Sequence, residues 1–231
     1  MFDRLKKAFL PGPALLVEPV VVNAVSDWAS GQGLSYAGPN DKNGTTDGFI
    51  LTGKISGKLW KLESGPASRD YIHGHELRAR ADLKLNDDVS ALIINRPLKE
   101  ALESRAYEIY TNTLQTTADA SLPEEMRWLA MYPEATWNGL TIEFWSRFAV
   151  LAEKREHALA WVDARLAELL MGWPEPGLNE QIPFFLMILR GKAYLRMQYT
   201  PDDLPTLAHA AKIFTYACET GTSSLTADIL V

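Results

Sequence analysis

The strongest pattern in this 231-residue chain is a strict alternation of charged and apolar positions between residues 76 and 85. Charged residues occupy the even positions, and Leu or Ala occupies the odd ones. Because successive side chains of a strand point to opposite faces, the pattern predicts a strand with one packed face and one exposed face. Asn86–Asp88 then predicts a turn, and the apolar run Ala91–Ile94 predicts a strand at the centre of a sheet.

Two further pairs of strands are predicted as β-hairpins, each with a Gly-Lys turn. The first pairs Phe49–Ile55 with Leu59–Leu62, and the second pairs Phe184–Leu189 with Ala193–Gln198. Each hairpin follows a predicted helix that carries one tryptophan, Trp28 or Trp161, at nearly equal spacing. The chain therefore predicts an internal pseudo-repeat of a helix and a β-hairpin.

Apolar residues at helical spacing predict the remaining elements. The predicted helices are one from Pro19 to Gly31, one that begins at Asn95–Pro97, one over 156–171 and one after Pro201–Asp203. Residues 123–155 have the least regular pattern. Within them, 124–131 fits a helix, and 148–152 fits either a strand or the beginning of the helix that follows.

Together these elements predict an α+β fold in which an antiparallel sheet has helices packed on one face. The chain divides into an N-terminal amphipathic segment 1–18, a first α+β half 19–115, a second α+β half 123–220 and a tail 221–231. The two halves either pack against each other or share one continuous sheet.

Composition narrows the classes of partner. The apolar share of 47% is typical of a globular protein, and the formal net charge of −6 disfavours nucleic acid as the main partner. Cys218 is the only cysteine, so neither an intramolecular disulfide nor a cysteine-based zinc cluster is expected.

The segment Met1–Leu10 is amphipathic, but Asp3 and Pro11 argue against a secretory signal. Contact with a membrane surface is the lesser alternative for this segment. The expected location is the cytoplasm.

Motifs for catalysis and cofactors are weak in this chain. Gly48–Lys54 has the letters of a phosphate-binding loop, but Ile55 stands where that loop needs Ser or Thr, and the segment is a predicted strand. His73 and His75 are candidate metal ligands because residues two apart on a strand share a face, although the spacing offers no third ligand. No G-x-S-x-G nucleophile motif occurs. We therefore expect no cofactor and favour a non-enzymatic protein.

Two groups of residues are candidates for a binding surface. The first combines cations with one tryptophan on the predicted strands: Lys58, Trp60, Arg78 and Arg80. The second is an aromatic-rich region that contains Arg127, Trp128, Tyr132, Trp137 and Trp145. The first interpretation is a binding or scaffold protein that contacts a protein partner or self-associates. The alternative is a small-molecule or lipid-binding module, or an enzyme with an unrecognised site, in which the aromatic region lines a cavity between sheet and helices.

Overall fold

Seven helices and eight strands occur in a computed structural model that describes residues 23–39, 48–113, 124–175 and 181–226. The helices are α1 (Ala24–Gly31), α2 (Arg96–Thr113), α3 (Glu124–Met131), α4 (Ile142–Arg147), α5 (Arg155–Trp161), α6 (Ala164–Met171) and α7 (Leu204–Leu225). The strands are β1 (Ser35–Ala37), β2 (Phe49–Ile55), β3 (Lys58–Pro66), β4 (His75–Asp82), β5 (Ser90–Asn95), β6 (Phe148–Ala152), β7 (Phe184–Leu189) and β8 (Lys192–Tyr199). Within these ranges no helix is both long enough and apolar enough to span a membrane.

All eight strands form one antiparallel sheet in the order β1-β2-β3-β4-β8-β7-β5-β6. The pairing of β4 with β8 joins the two predicted halves, and β5 from the first half lies between β6 and β7 of the second. The predicted α+β class with an antiparallel sheet is confirmed. The alternation that begins at residue 76 forms β4, in which Leu77, Ala79 and Ala81 are buried on one face.

Both predicted hairpins are present and turn in the same way. Ser56 and Gly57 join β2 to β3 with φ angles of 49° and 79°, and Arg190 and Gly191 join β7 to β8 with φ angles of 49° and 72°. Positive φ at both turn positions is typical of the type I′ turn, whose twist matches that of the flanking strands. Position 191 also has no room for a side chain, since a Cβ there would lie 2.8 Å from the carbonyl oxygen of Leu85.

The structure does not confirm the internal pseudo-repeat that includes these hairpins. One strand, β1, lies between α1 and the first hairpin, whereas α6 lies between α5 and the second. The two tryptophans also differ in their surroundings. Trp161 is fully buried and donates its Nε1–H to the carbonyl oxygen of Ala217 at 2.9 Å, whereas Trp28 is only partly buried. Similar spacing in sequence is therefore not accompanied by equivalent packing.

Helices pack on both faces of the sheet, whereas the sequence pattern predicts them on one. On the first face, α1, α4, α5, α6 and α7 contribute to the larger hydrophobic core with sheet residues such as Leu62 and Ile93. On the second face, α2 and α3 cover β5, β6 and β7 and pack on residues such as Ile94 and Phe185. The physical reason is that these three strands are buried on both faces, so each face needs a cover.

Several boundaries of elements differ from the prediction. α1 begins at Ala24, because the side chain of Asn23 caps it and accepts a hydrogen bond from the N–H of Val25 at 3.0 Å. The predicted start at Pro19 and the whole segment 1–18 lie outside the described residues, as does the predicted boundary between the halves. α7 continues to Leu225, past the start of the predicted tail at 221. Residues 148–152 form a strand, which settles the two alternatives for that segment.

Candidate functional site

A groove of about 500 Å³ lies on the part of the second sheet face that α2 and α3 leave uncovered. Residues of β3, β4, β8 and β7 form its floor, and α3 contributes one wall. We call it the basic groove. Its lining residues are Lys61, Glu63, Arg69, Arg78, Ala79, Arg80, Glu124, Glu125, Trp128, Phe185, Met187, Leu189, Arg190, Tyr194, Leu195 and Arg196.

Strand register arranges the floor of the basic groove in two rows that change from charged to apolar. Within a row, the residues are direct neighbours on β3, β4, β8 and β7 in turn. The rows are Glu63, Arg78, Arg196 and Phe185, and Lys61, Arg80, Tyr194 and Met187. Because neighbouring strands lie about 4.8 Å apart, each row passes from charge to apolar surface within about 15 Å.

The basic groove is rich in positive charge although the chain as a whole is acidic. Six cationic side chains and three carboxylates line it. Glu63 forms ion pairs with Lys61 and Arg78, each at 2.8 Å. Burial alone would raise the pKa of Glu63, but the hydrogen bond from Lys61 and the charge of Arg78 lower it below the ordinary value of 4.5. Arg80 and Arg190 are exposed, and among the described residues their side chains have no hydrogen bond or ion pair.

A buried carboxylate, that of Glu76, holds two of the arginines at the floor of the groove. Its Oε2 accepts a hydrogen bond from the N–H of Ser68 at 2.7 Å. Its Oε1 lies 3.0 Å from Nη1 of Arg196, an ionic contact without hydrogen-bond geometry. Nη1 of Arg78 lies 4.0 Å from Oε2. Since a charge removed from water is costly unless it is paired, these contacts fix both guanidinium groups in place.

A second buried carboxylate, that of Glu125, fixes the wall of the groove. Its Oε1 accepts hydrogen bonds from Nε of Arg69 at 2.6 Å and from the hydroxyl of Tyr71 at 3.0 Å. Burial and the charge of Glu125 raise the pKa of the Tyr71 hydroxyl, so this group remains a donor. α3 is thereby tied to the segment before β4. Trp128, one turn later on α3, packs edge-on against Phe185 with ring centroids 6.1 Å apart.

Three of the residues predicted to bind a ligand, Arg78, Arg80 and Trp128, come together in the basic groove. Two others lie close in sequence but outside its lining. Arg127 is exposed on α3, and Tyr132 packs against the core of the second face.

Trp60 and Lys58 lie away from the groove. Trp60 is buried on the first face, and its ring centroid lies 5.8 Å from that of Phe214. Nζ of Lys58 donates to the carbonyl oxygen of Leu83. The predicted cluster of Trp60 with Arg80 therefore does not form, because adjacent residues of β3 point to opposite faces and it is Lys61 that shares a face with Arg80.

Trp137 and Trp145 form a separate aromatic pair, with ring centroids 5.0 Å apart and an interplanar angle of 84°. With Leu140 and Ile142 they line a second depression of about 430 Å³. The pair packs against the core of the first face, whereas Trp128 packs on the second. The cavity between sheet and helices that the alternative interpretation predicts for this aromatic region therefore does not form, because the members of the region lie on both sides of the sheet.

The other candidate groups for chemistry are dispersed. His75 is the first residue of β4, but His73 lies in the loop before it, beyond Gly74 with its φ of 80°. No three His, Cys, Asp or Glu side chains come together as possible metal ligands in the described part of the chain. Burial, with the charge of Glu219, raises the pKa of the Cys218 thiol, which disfavours the reactive thiolate.

Of the lining residues that are missing from the candidates found in the sequence, four lie on β7 and β8: Phe185, Met187, Tyr194 and Arg196. They reach the groove through the pairing of β4 with β8, two strands that are far apart in sequence. One available signal is the alternation along the second hairpin, which places Tyr194 and Arg196 on the same face of β8.

Comparisons with known proteins leave the function open. No protein-family model matches this chain, and no curated protein matches it. Among solved structures, the chain is similar to the crystal structure of the mycobacterial trehalose monomycolate transport factor A, TtfA, with 11% sequence identity and a TM-score of 0.43. The match covers 84% of this chain and 92% of that chain. A functional assignment therefore depends on the chemistry of the groove itself.

Proposed function

We propose that this protein is a non-enzymatic binding protein that holds an anionic ligand in the basic groove. The observation that carries the proposal is the presence, in one groove of about 500 Å³, of unpartnered guanidinium groups next to apolar surface. Sites for small molecules commonly have volumes of about 300–1,000 Å³. The proposal keeps the ligand class of the small-molecule alternative but places the ligand in the basic groove and not in an aromatic-lined cavity between sheet and helices.

The position of Arg80 supports an anion as the ligand. Arg80 is exposed on β4 directly beside Lys61 on β3. Lys61 is already paired with Glu63, whereas Arg80 has no partner among the described residues. A guanidinium group also presents parallel donors that match a carboxylate or a phosphate.

The composition of the lining supports binding rather than catalysis. Among the described lining residues there is no Ser, Thr, Cys or His, the side chains that most often serve as nucleophile or general base. Three carboxylates also line the groove. Lys61 and Arg78 pair with Glu63, and Arg69 pairs with Glu125. Glu124 is exposed at the start of α3.

The test is a titration with 8-anilinonaphthalene-1-sulfonate, an aromatic anion whose fluorescence rises in apolar surroundings. The native protein is expected to bind one equivalent, and Arg80→Glu is expected to weaken binding by about 10- to 100-fold, because a hydrogen bond to a charged group contributes about 1.5–3 kcal/mol. Near-ultraviolet circular dichroism checks that each variant keeps its packed core.

The matched control is Lys54→Glu, which makes the same reversal of charge on an exposed residue of β2 outside the groove. This variant is expected to bind the dye as the native protein does. Equal weakening by Arg80→Glu and Lys54→Glu would show a general effect of charge, and unchanged binding by Arg80→Glu would remove the groove as the site. Either result contradicts the proposal.

Self-association is a second candidate function, favoured by one exposed apolar residue. Ile142 is 84% exposed and lies beside the pair of Trp137 and Trp145. Isolated exposed apolar side chains are ordinary, but their grouping with aromatic rings is typical of contact surfaces. Sedimentation velocity over a range of concentrations is expected to show a dimer that Ile142→Glu abolishes. A native chain that stays monomeric at every concentration contradicts this candidate.

A further inference from the structure

We propose that the ligand of the basic groove is a single-chain anionic amphiphile, such as a fatty-acid carboxylate or an alkyl phosphate. Its charged end lies at Arg80 on β4, and its chain crosses β8 towards β7 beneath Trp128. This inference rests on the proposed function and adds the class of ligand to it.

The charged end of the groove is set by which cations remain unpaired. In the row that contains Arg78 and Arg196, Glu63 and the buried Glu76 neutralise both arginines. In the neighbouring row, Arg80 has no such partner among the described residues. An anionic headgroup is therefore best placed at Arg80, where it gains a partner without breaking an existing ion pair.

The apolar end lies two strands away in the same row. From Arg80 the row continues to Tyr194 on β8 and Met187 on β7, a span of about 10 Å at the usual spacing of strands. Tyr194 and Leu189 are half-buried, and Met187 forms the buried base beneath them. The half-buried Trp128 closes this end from α3. Arg80 at one end of this row and apolar surface at the other match an amphiphile with a headgroup and a chain. The other unpaired cation, Arg190, lies in the turn after Leu189 and outside the row.

Other anionic ligands fit this arrangement less well. A nucleic-acid strand carries phosphates at regular intervals and needs cations along its whole path, whereas each row ends in apolar surface, one at Phe185 and the other at Met187. The formal net charge of −6 also repels a polyanion. An acidic peptide would place several charges in the groove, but only two lining cations lack a partner among the described residues, Arg80 on β4 and Arg190 in the turn after β7.

The experiment compares three probes by isothermal titration calorimetry, each used below its aggregation concentration. Decanoate has both the anion and the chain, butyrate has the anion with little chain, and 1-decanol has the chain without the charge. Each buried methylene contributes a factor of about four in affinity, so decanoate is expected to bind at least about 50-fold more tightly than butyrate. Decanoate is also expected to bind at least about tenfold more tightly than 1-decanol, because the alcohol lacks the charge.

Two variants separate the two ends. Arg80→Glu is expected to lower the affinity for decanoate by about tenfold or more. Leu189→Gln is expected to lower the affinity for decanoate by about fourfold or more and to leave butyrate unchanged, because it removes only apolar contact. Lys54→Glu is the control and is expected to change neither.

The outcomes distinguish this inference from the proposed function. If butyrate binds as tightly as decanoate and Arg80→Glu weakens both, the groove is an anion site and the amphiphile is wrong. If 1-decanol binds as tightly as decanoate, or if Arg80→Glu leaves decanoate unaffected, both proposals are overturned. If decanoate does not bind, or if a glutamate-rich peptide binds more tightly and displaces it, the proposal of an amphiphilic ligand is wrong, and the proposal of an anion site still stands.

Discussion

Replacement of the buried Glu76 by Gln is expected to destabilise the protein by about 2–4 kcal/mol. The side chain is fully buried beside the basic groove, and it contacts the N–H of Ser68 at 2.7 Å and Nη1 of Arg196 at 3.0 Å. The substitution keeps the size of the side chain and removes only its charge. The loss of stability therefore measures how much the floor of the groove depends on one buried carboxylate.

The magnitude follows from these contacts. Removal of one partner from a buried ion pair costs about 3–5 kcal/mol, since the remaining charge loses its compensation. Gln can still accept the hydrogen bond from Ser68 through its amide oxygen, which returns about 1 kcal/mol. The side chain of Arg196 is 17% exposed, so water replaces the lost carboxylate only in part. The remaining loss is about 2–4 kcal/mol.

The assay is equilibrium unfolding in urea at neutral pH, with the free energy of unfolding compared at constant m-value. Glu63→Gln serves as the control, because Glu63 pairs with Arg78 on the same floor but is 23% exposed. A partly exposed pair contributes about 0–1 kcal/mol. If Glu76→Gln costs no more than Glu63→Gln, the buried carboxylate does not organise the floor of the groove and the reasoning is refuted.

Three further predictions concern the core, the turns and the thiol. Trp161→Ala is expected to cost about 3–5 kcal/mol and Trp28→Ala under about 2 kcal/mol in urea unfolding, and equal losses would contradict their unequal burial. Gly57→Ala is expected to lower the free energy of unfolding by about 1–2 kcal/mol, because the φ angle of Gly57 is positive. Gly191→Ala is expected to lower it by at least about 1 kcal/mol more, because the added Cβ would lie too close to a backbone oxygen. Urea unfolding checks both. Cys218 is expected to react with a disulfide reagent only after unfolding, and rapid reaction of the native chain would contradict its burial.

Local features of the fold could be predicted because they depend on neighbours in sequence. The alternation after residue 76 predicts β4, and the Gly-Lys turns at Gly57 and Gly191 predict both hairpins. The second layer of helices could not be predicted in the same way. It depends on β5 lying between β6 and β7, and no local pattern specifies the order of strands in a sheet. The near-equal spacing of Trp28 and Trp161 from the two hairpins predicts a repeat, but equal spacing does not require equal burial.

The candidate site likewise contains some residues that a local sequence pattern predicts and others that only the tertiary structure brings together. Alternation along β4 places Arg78 and Arg80 on one face, and both line the groove. Closeness in sequence also predicts Trp60 in this group, yet a shift of one residue along a strand moves a side chain to the opposite face. Tyr194 and Arg196 complete the floor through the pairing of β4 with β8, a contact between distant parts of the chain. The pairing of strands so far apart in sequence is seen only in the tertiary structure.

The location of a bound ligand can be read from the indole N–H signals of the tryptophans in nitrogen-15-labelled protein as decanoate is added. Trp128→Phe assigns the signal of Trp128, and corresponding variants assign those of Trp60 and Trp137. If the basic groove holds the ligand, the Trp128 signal shifts progressively and saturates, while the signals of Trp60 on the other face and Trp137 in the second depression stay in place. A saturating shift of Trp137 with no change at Trp128 would place the ligand elsewhere and contradict the assignment of the groove.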